Sequence, residues 1–266
     1  MTAALRIFSY LPNPRIFKAS VAARLTGVEL DIRGAAPKEL VDWLWDFDAK
    51  PLDASGKEEF AHAVRAPRTG FTTPLFKTDA FLAAHPFGTV PAAFGPDGTV
   101  GISESNSILR AVARLGRARC DLYGGDPYTE SRVDGFLDAT LLFARDVQIY
   151  VLGLRAGNAS KEIHRSMSDS FSAFFTGLQI ALRNTHAFLA GSQLSIADIA
   201  FMGEMGLLFN ESRHTALLRR QGLEPIVGPK ARADYPLVFD HIDALARHPA
   251  FAPDFGPYLR AIEEAA

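Results

Sequence analysis

Phe188-Leu189-Ala190-Gly191-Ser192-Gln193-Leu194-Ser195-Ile196-Ala197-Asp198-Ile199 opens the most apolar helix of the chain. Ser195 followed three residues later by Asp198 has the spacing of a capping box. The serine hydroxyl takes up a free N–H of the first turn, and the acid reaches back to the N–H of the cap residue. Leu194 and Ile199 stand where the accompanying apolar staple is expected. The run from Ile196 to Phe209 is apolar almost all round, which places this helix at the centre of a bundle. Such a polar spacing inside an apolar helix is a folding element and carries no chemistry.

Around this helix the pattern is helical and without strand signals. Val133, Phe136, Leu137, Leu141, Ala144 and Val151 recur at helical spacing, as do Ile163, Met167, Phe171, Phe174, Leu178 and Leu182. A last helix is expected over Leu237 to Ala246, ending before His248-Pro249. Residues 126–266 therefore read as an all-helical domain.

The N-terminal half reads differently. Leu5 to Ser9 is a short apolar strand broken by Leu11-Pro12-Asn13-Pro14; Arg15 to Leu25 is a helix, stopped by Gly27. Val28, Leu30 and Ile32 alternate with polar residues as a half-buried strand does. Strand, helix and strand in this order make a parallel crossover unit. Pro91 to Phe94 and Thr99 to Ser103 flank Gly95-Pro96-Asp97-Gly98, a hairpin turn signal. A helix from Glu104 to Leu115 follows. This is the order of a thioredoxin-like α/β domain over residues 1–118, interrupted by an insert at about 36–78 with helical patterning near Leu40, Val41 and Leu44 and near Phe60, Ala63 and Val64. Long connections of this kind are often functional. Trp43 and Trp45, close together within the insert, either pack it down or face another chain.

Composition narrows the function classes. With 28 Lys and Arg against 30 Asp and Glu the net charge is -2, without the basic excess of a nucleic-acid binder. The single cysteine, Cys120, forbids a disulfide within the chain and fits a reducing compartment. Met1 to Tyr10 does not have the pattern of a signal peptide, and no run reaches the about 18 apolar residues of a membrane span. A soluble, cytoplasmic protein is expected.

Two further stretches carry chemistry. Phe87-Gly88-Thr89-Val90-Pro91-Ala92 places a proline at a strand start, where an edge strand tolerates it. Glu104-Ser105-Asn106-Ser107-Ile108-Leu109 follows the hairpin, and acids and serine favour a helix start.

Taken with the capping box, these stretches resemble the glutathione transferase superfamily over essentially the whole chain. Within it, Ser9-Tyr10 and Asn13-Pro14-Arg15-Ile16-Phe17-Lys18-Ala19 are similar to the N-terminal region of the elongation factor 1 gamma subunit. The insert departs from that group, and Thr89 stands where many relatives carry a basic residue. The resemblance implies glutathione as co-substrate, a cis Val90-Pro91 bond with the Val90 backbone pairing to the cysteinyl unit, and Glu104 and Ser105 holding the γ-glutamyl group. It further implies a small hydrophobic electrophile bound near Leu11, Phe136, Thr140 and Phe143, and a homodimer, with no nucleic-acid or membrane partner and no metal.

A transferase must turn a thiol with a pKa of about 8.5 into a thiolate near neutral pH. The family places the responsible group just after the first strand, where this chain has Asn13, Arg15 and Tyr10. Asn13 can donate through its amide, Arg15 can act by charge, and Tyr10 through its hydroxyl. Each has a plain alternative: a turn residue, a surface charge and a packed ring. A non-catalytic scaffold resembling the elongation factor subunit is the competing expectation. Cys120 beside Arg117 and Arg119 reads as a structural thiol, and His241 with His248 lacks a third metal ligand at suitable spacing.

Overall fold

The computed structural model describes residues 3–67, 70–185 and 187–265. The chain divides into two compact units, Met1–Arg119 and Cys120–Ala266.

In the first unit, β1 (Leu5–Phe8), α1 (Pro14–Thr26) and β2 (Leu30–Arg33) form the expected crossover, with β1 and β2 parallel and Phe8 opposite Arg33. Asn13 caps α1 by accepting from the Arg15 N–H, and Gly27 ends it at φ 72, its N–H bonded to the Ala23 carbonyl. That left-handed conformation is open to glycine at little cost.

The insert is not the pair of helical segments expected from its apolar spacing. Leu40–Asp42 and Ala61–Ala63 are single 3-10 turns, whereas Leu44 lies in β3 (Trp43–Trp45) and Val64 begins β5 (Val64–Arg65). With β4 (Lys50–Pro51) and β6 (Leu75–Lys77) these strands form a second four-stranded sheet in the order β4-β3-β6-β5. The short helix α2 (Ala54–Glu59) links β4 to the second 3-10 turn. Strands of two or three residues are too short to display a period of two, so apolar spacing misled. Residues 68 and 69 of the insert lie outside the described residues.

After β6 come α3 (Asp79–Ala84), β7 (Ala92–Phe94), β8 (Gly101–Ser103) and α4 (Ser105–Leu115). The first sheet has the order β2-β1-β7-β8. Its inner face and the insert share one core: Phe8, Ala92 and Phe94 pack with Leu40, Trp45, Ala49, Leu75 and Phe81. Trp45 is central, edge-on to Phe8 at 5.4 Å and to Phe71 at 5.3 Å.

The second unit holds α5 (Pro127–Arg155), α6 (Lys161–Thr185), α7 (Ile196–Leu208), a 3-10 segment Phe209–His214, α8 (Thr215–Arg220), α9 (Pro229–Asp234), α10 (Pro236–Arg247) and α11 (Ala252–Glu263). Every residue of α7 is buried, and the Ser195–Asp198 capping box is formed. The fold is thus a thioredoxin-like unit followed by an all-helical one. One boundary expectation fails: α10 is not the last helix. Pro253 sits in the opening turn of α11, Pro257 lies inside it, and Phe251, Phe255 and Ile262 are buried there. No helix among the described residues is long and apolar enough to cross a membrane.

Candidate functional site

The register of the first sheet gathers three segments that are far apart in sequence. Phe8 lies opposite Ala92 across the antiparallel β1–β7 pair, and Ala92 lies opposite Ser103 across β7–β8. The chain leaving β1, the chain entering β7 and the chain leaving β8 therefore meet at one end of the sheet. They carry Ser9 to Asn13, Val90-Pro91 and Glu104-Ser105.

At the middle segment, the Val90-Pro91 bond is cis, and both residues are half-buried. The preceding loop is held by the Lys77 ammonium, which donates to the Gly88 carbonyl at 2.6 Å and lies 4.7 Å from the centre of the Trp45 ring. His85 begins this loop. It is buried and stacked parallel to Phe81 at 5.7 Å, and neither ring nitrogen makes a hydrogen bond.

Burial pushes the His85 pKa below its ordinary value of 6.5; the backbone of His85 and Pro91 and the charge of Glu104 oppose this only in part, and Lys77 adds to it. An unfolded chain takes up this proton near pH 6.5 and the folded one only at lower pH. The residue's stabilising contribution is therefore full above that value and is lost as the pH falls through the folded-state value. His85→Phe keeps the ring stack and removes the titration. The gap in urea midpoint between about pH 7.5 and about pH 5.5 is expected to be narrower in that variant than in the parent; equal gaps would refute the assignment.

At the third segment, Glu104 turns the chain from β8 into α4 with φ 67 and is exposed. Ser105 and Asn106, the first two residues of α4, are buried. Both touch the ammonium of Lys18 from α1, at 3.2 Å to Ser105 Oγ and 2.9 Å to Asn106 Oδ1. Nothing in one dimension marks Lys18 as inward-facing, except that it sits between the apolar residues Phe17 and Ala19.

The first segment holds the three candidates for thiol activation. Asn13 is buried: its Oδ1 accepts from the Arg15 N–H at 3.0 Å, and its amide nitrogen donates to Ser9 Oγ at 3.1 Å. Its amide thus serves the α1 cap. Tyr10 is half-buried against the aromatic core, and Arg15 is half-buried in the first turn of α1. Leu11, also half-buried, is anchored by its N–H to the Ala35 carbonyl at 2.8 Å.

Of the expected electrophile contacts on α5, Phe136 is half-buried, with the Arg132 guanidinium 5.4 Å from its ring centre. Thr140 and Phe143 face the helical core: the Thr140 hydroxyl donates to the Phe136 carbonyl at 2.7 Å, and the Phe143 ring stacks on Phe174 at 4.5 Å. Helical spacing alone does not separate core from pocket lining. His241 binds Asp198 at 2.9 Å, and His248 Nδ1 accepts from the Ala250 N–H at 3.1 Å. Among the described residues no group of three His, Cys, Asp or Glu could hold a metal ion.

No family model matches the chain. Individual proteins do. The glutathione S-transferase-like protein FUS3 of Gibberella moniliformis is 24% identical over 205 residues, covering 75% of this chain and 74% of that protein. Elongation factor 1-gamma of Carassius auratus is 26% identical over 213 residues, which is 79% of this chain but only 39% of that longer protein. Among solved structures, a glutathione S-transferase of Methylobacillus flagellatus with glutathione bound superposes with a TM-score of 0.61 at 15% identity, over 94% of this chain and 98% of that one. In sequence the chain is thus similar to glutathione S-transferase-like and elongation factor 1-gamma proteins, and its fold is that of the glutathione transferases.

Proposed function

We propose that the chain is a glutathione transferase, binding glutathione at the sheet end where the three segments meet and directing its sulfur to a small hydrophobic electrophile. The convergence of Val90-Pro91 with Glu104-Ser105, through the pairing of Ala92 with Ser103, is the observation that carries this reading. Val90 offers backbone groups to the cysteinyl unit as an added strand would. Glu104 meets the ammonium of the γ-glutamyl group. The Ser105 hydroxyl and the first N–H groups of α4 meet its carboxylate, a placement favoured at a helix start.

Because the Asn13 amide serves the cap, thiolate stabilisation is assigned to Arg15 together with the positive end of α1, with Tyr10 as the hydroxyl alternative. Leu11, half-buried in the segment leaving β1, is the apolar group proposed to meet the electrophile. The same reading carries a cytoplasmic homodimer, which sedimentation of the purified chain checks.

Retention on immobilised glutathione, run beside conjugation of glutathione to an aryl halide, tests the proposal. The parent chain is retained and active. Ser105→Ala and Glu104→Gln weaken glutathione by about 10-fold each or more. Arg15→Ala remains retained but turns over at least about 10-fold more slowly. A correctly folded parent that ignores glutathione rules the reading out. Retention without turnover points to the second reading, a binding scaffold like the elongation factor subunit, which the buried Asn13 favours.

A further inference from the structure

Lys18 is 1% exposed, a rare placement for an ammonium. Its contacts run to Ser105 Oγ at 3.2 Å and Asn106 Oδ1 at 2.9 Å. An ammonium has three donors and no acceptor, so both oxygens must accept from it. For Ser105 this has a directional consequence. The hydroxyl oxygen is occupied as an acceptor, which leaves the hydroxyl proton to be donated elsewhere. Among the described residues that proton has no acceptor, although the Ser105 side chain is 8% exposed. A buried, polarised donor without an acceptor is a costly arrangement unless a ligand completes it.

We propose that Lys18 is the positioning residue of the glutathione site: by donating to Ser105 Oγ it fixes that hydroxyl as a donor for the α-carboxylate of the γ-glutamyl unit. The inference rests on the glutathione reading above. Lys18 itself does not touch the ligand; it selects which way the serine proton points and strengthens its donation through the shared hydrogen-bond chain. The site then discriminates for a carboxylate at this position and against the same peptide lacking it.

The test compares calorimetric affinities for glutathione and for 4-aminobutanoyl-cysteinyl-glycine, which is glutathione without that carboxylate. The parent prefers glutathione by at least about 10-fold. In Lys18→Met the preference falls to within about threefold while affinity for the decarboxylated peptide is unchanged. Lys18→Arg, still a donor only, keeps most of it. Ser105→Ala loses the preference as well, and the Lys18→Met, Ser105→Ala double variant is no worse than either single one, because both remove one interaction. If Lys18→Met does not fold, Lys18→Gln, which offers an acceptor as well as donors, carries the same expectation. A folded variant that keeps the full preference, or that loses both ligands equally, overturns the assignment and leaves Lys18 as a tie between α1 and α4. A parent chain that binds neither peptide instead removes the glutathione reading itself.

Discussion

Asp198→Ala is expected to lower the unfolding free energy of the helical unit by about 3–5 kcal/mol, read from urea denaturation followed by circular dichroism. Asp198 is completely buried and accepts four hydrogen bonds. Oδ1 takes the Leu189 N–H and His241 Nε2, both at 2.9 Å. Oδ2 takes the Ser195 N–H at 2.9 Å and the Ser195 hydroxyl at 3.0 Å. Truncation leaves all four donors inside the protein without an acceptor, and each unsatisfied buried group carries its own desolvation cost. The turn before α7, the cap of α7 and α10 are thereby loosened together. Ser195→Ala serves as the smaller control, at about 1 kcal/mol, since a cap hydroxyl is replaced while the carboxyl group stays. A loss under about 1 kcal/mol for Asp198→Ala would mean that water or a shifted backbone replaces its bonds.

Trp45→Ala is expected to cost the first unit a similar amount, about 3–5 kcal/mol. Its side chain is 1% exposed and packs edge-on against Phe8, Phe71 and Phe81, at 5.4, 5.3 and 6.1 Å. Its ring N–H donates to the Leu40 carbonyl at 3.1 Å. Removing the indole opens a cavity between the insert and the first sheet, orphans that carbonyl and exposes the Lys77 ammonium to a void. Trp43→Ala, at the half-buried neighbour, is expected to cost clearly less. The comparison decides whether the insert is part of the domain's core. If it were a loop lying on the surface, both variants would unfold with the parent.

The same two residues mark how far the sequence could be read. The Ser195–Asp198 box was legible because its partners lie three residues apart and the helix that follows is uniformly apolar. Gly27 marks the end of α1 for the same local reason, and Asp97-Gly98 marks the hairpin between β7 and β8. The insert was illegible because its strands are two or three residues long, and a paired strand of that length is recognisable only by its partner. The helix α11 went unread: it carries Pro253 in its first turn, where proline is tolerated, and Pro257 in its interior, where proline is unfavourable.

The site divides along the same line. Val90-Pro91, Glu104 and Ser105 were identified from their own stretches of sequence, and so were the rival groups Asn13, Arg15 and Tyr10. Asn13 is withdrawn by partners two and four residues away, Arg15 and Ser9, whereas the place of Lys18 beside the site follows only from the packing of α1 against α4.

The amino-acid sequence alone determined the elements whose hydrogen-bond partners are a few residues apart: caps, the hairpin turn and the helical periodicity of the second half. Tertiary structure decided which distant segments meet, because strand register depends on pairing between residues tens of positions apart. Phe8, Ala92 and Ser103 fall into line only once β1, β7 and β8 are paired, and that line brings the three segments of the candidate site to one end of the sheet.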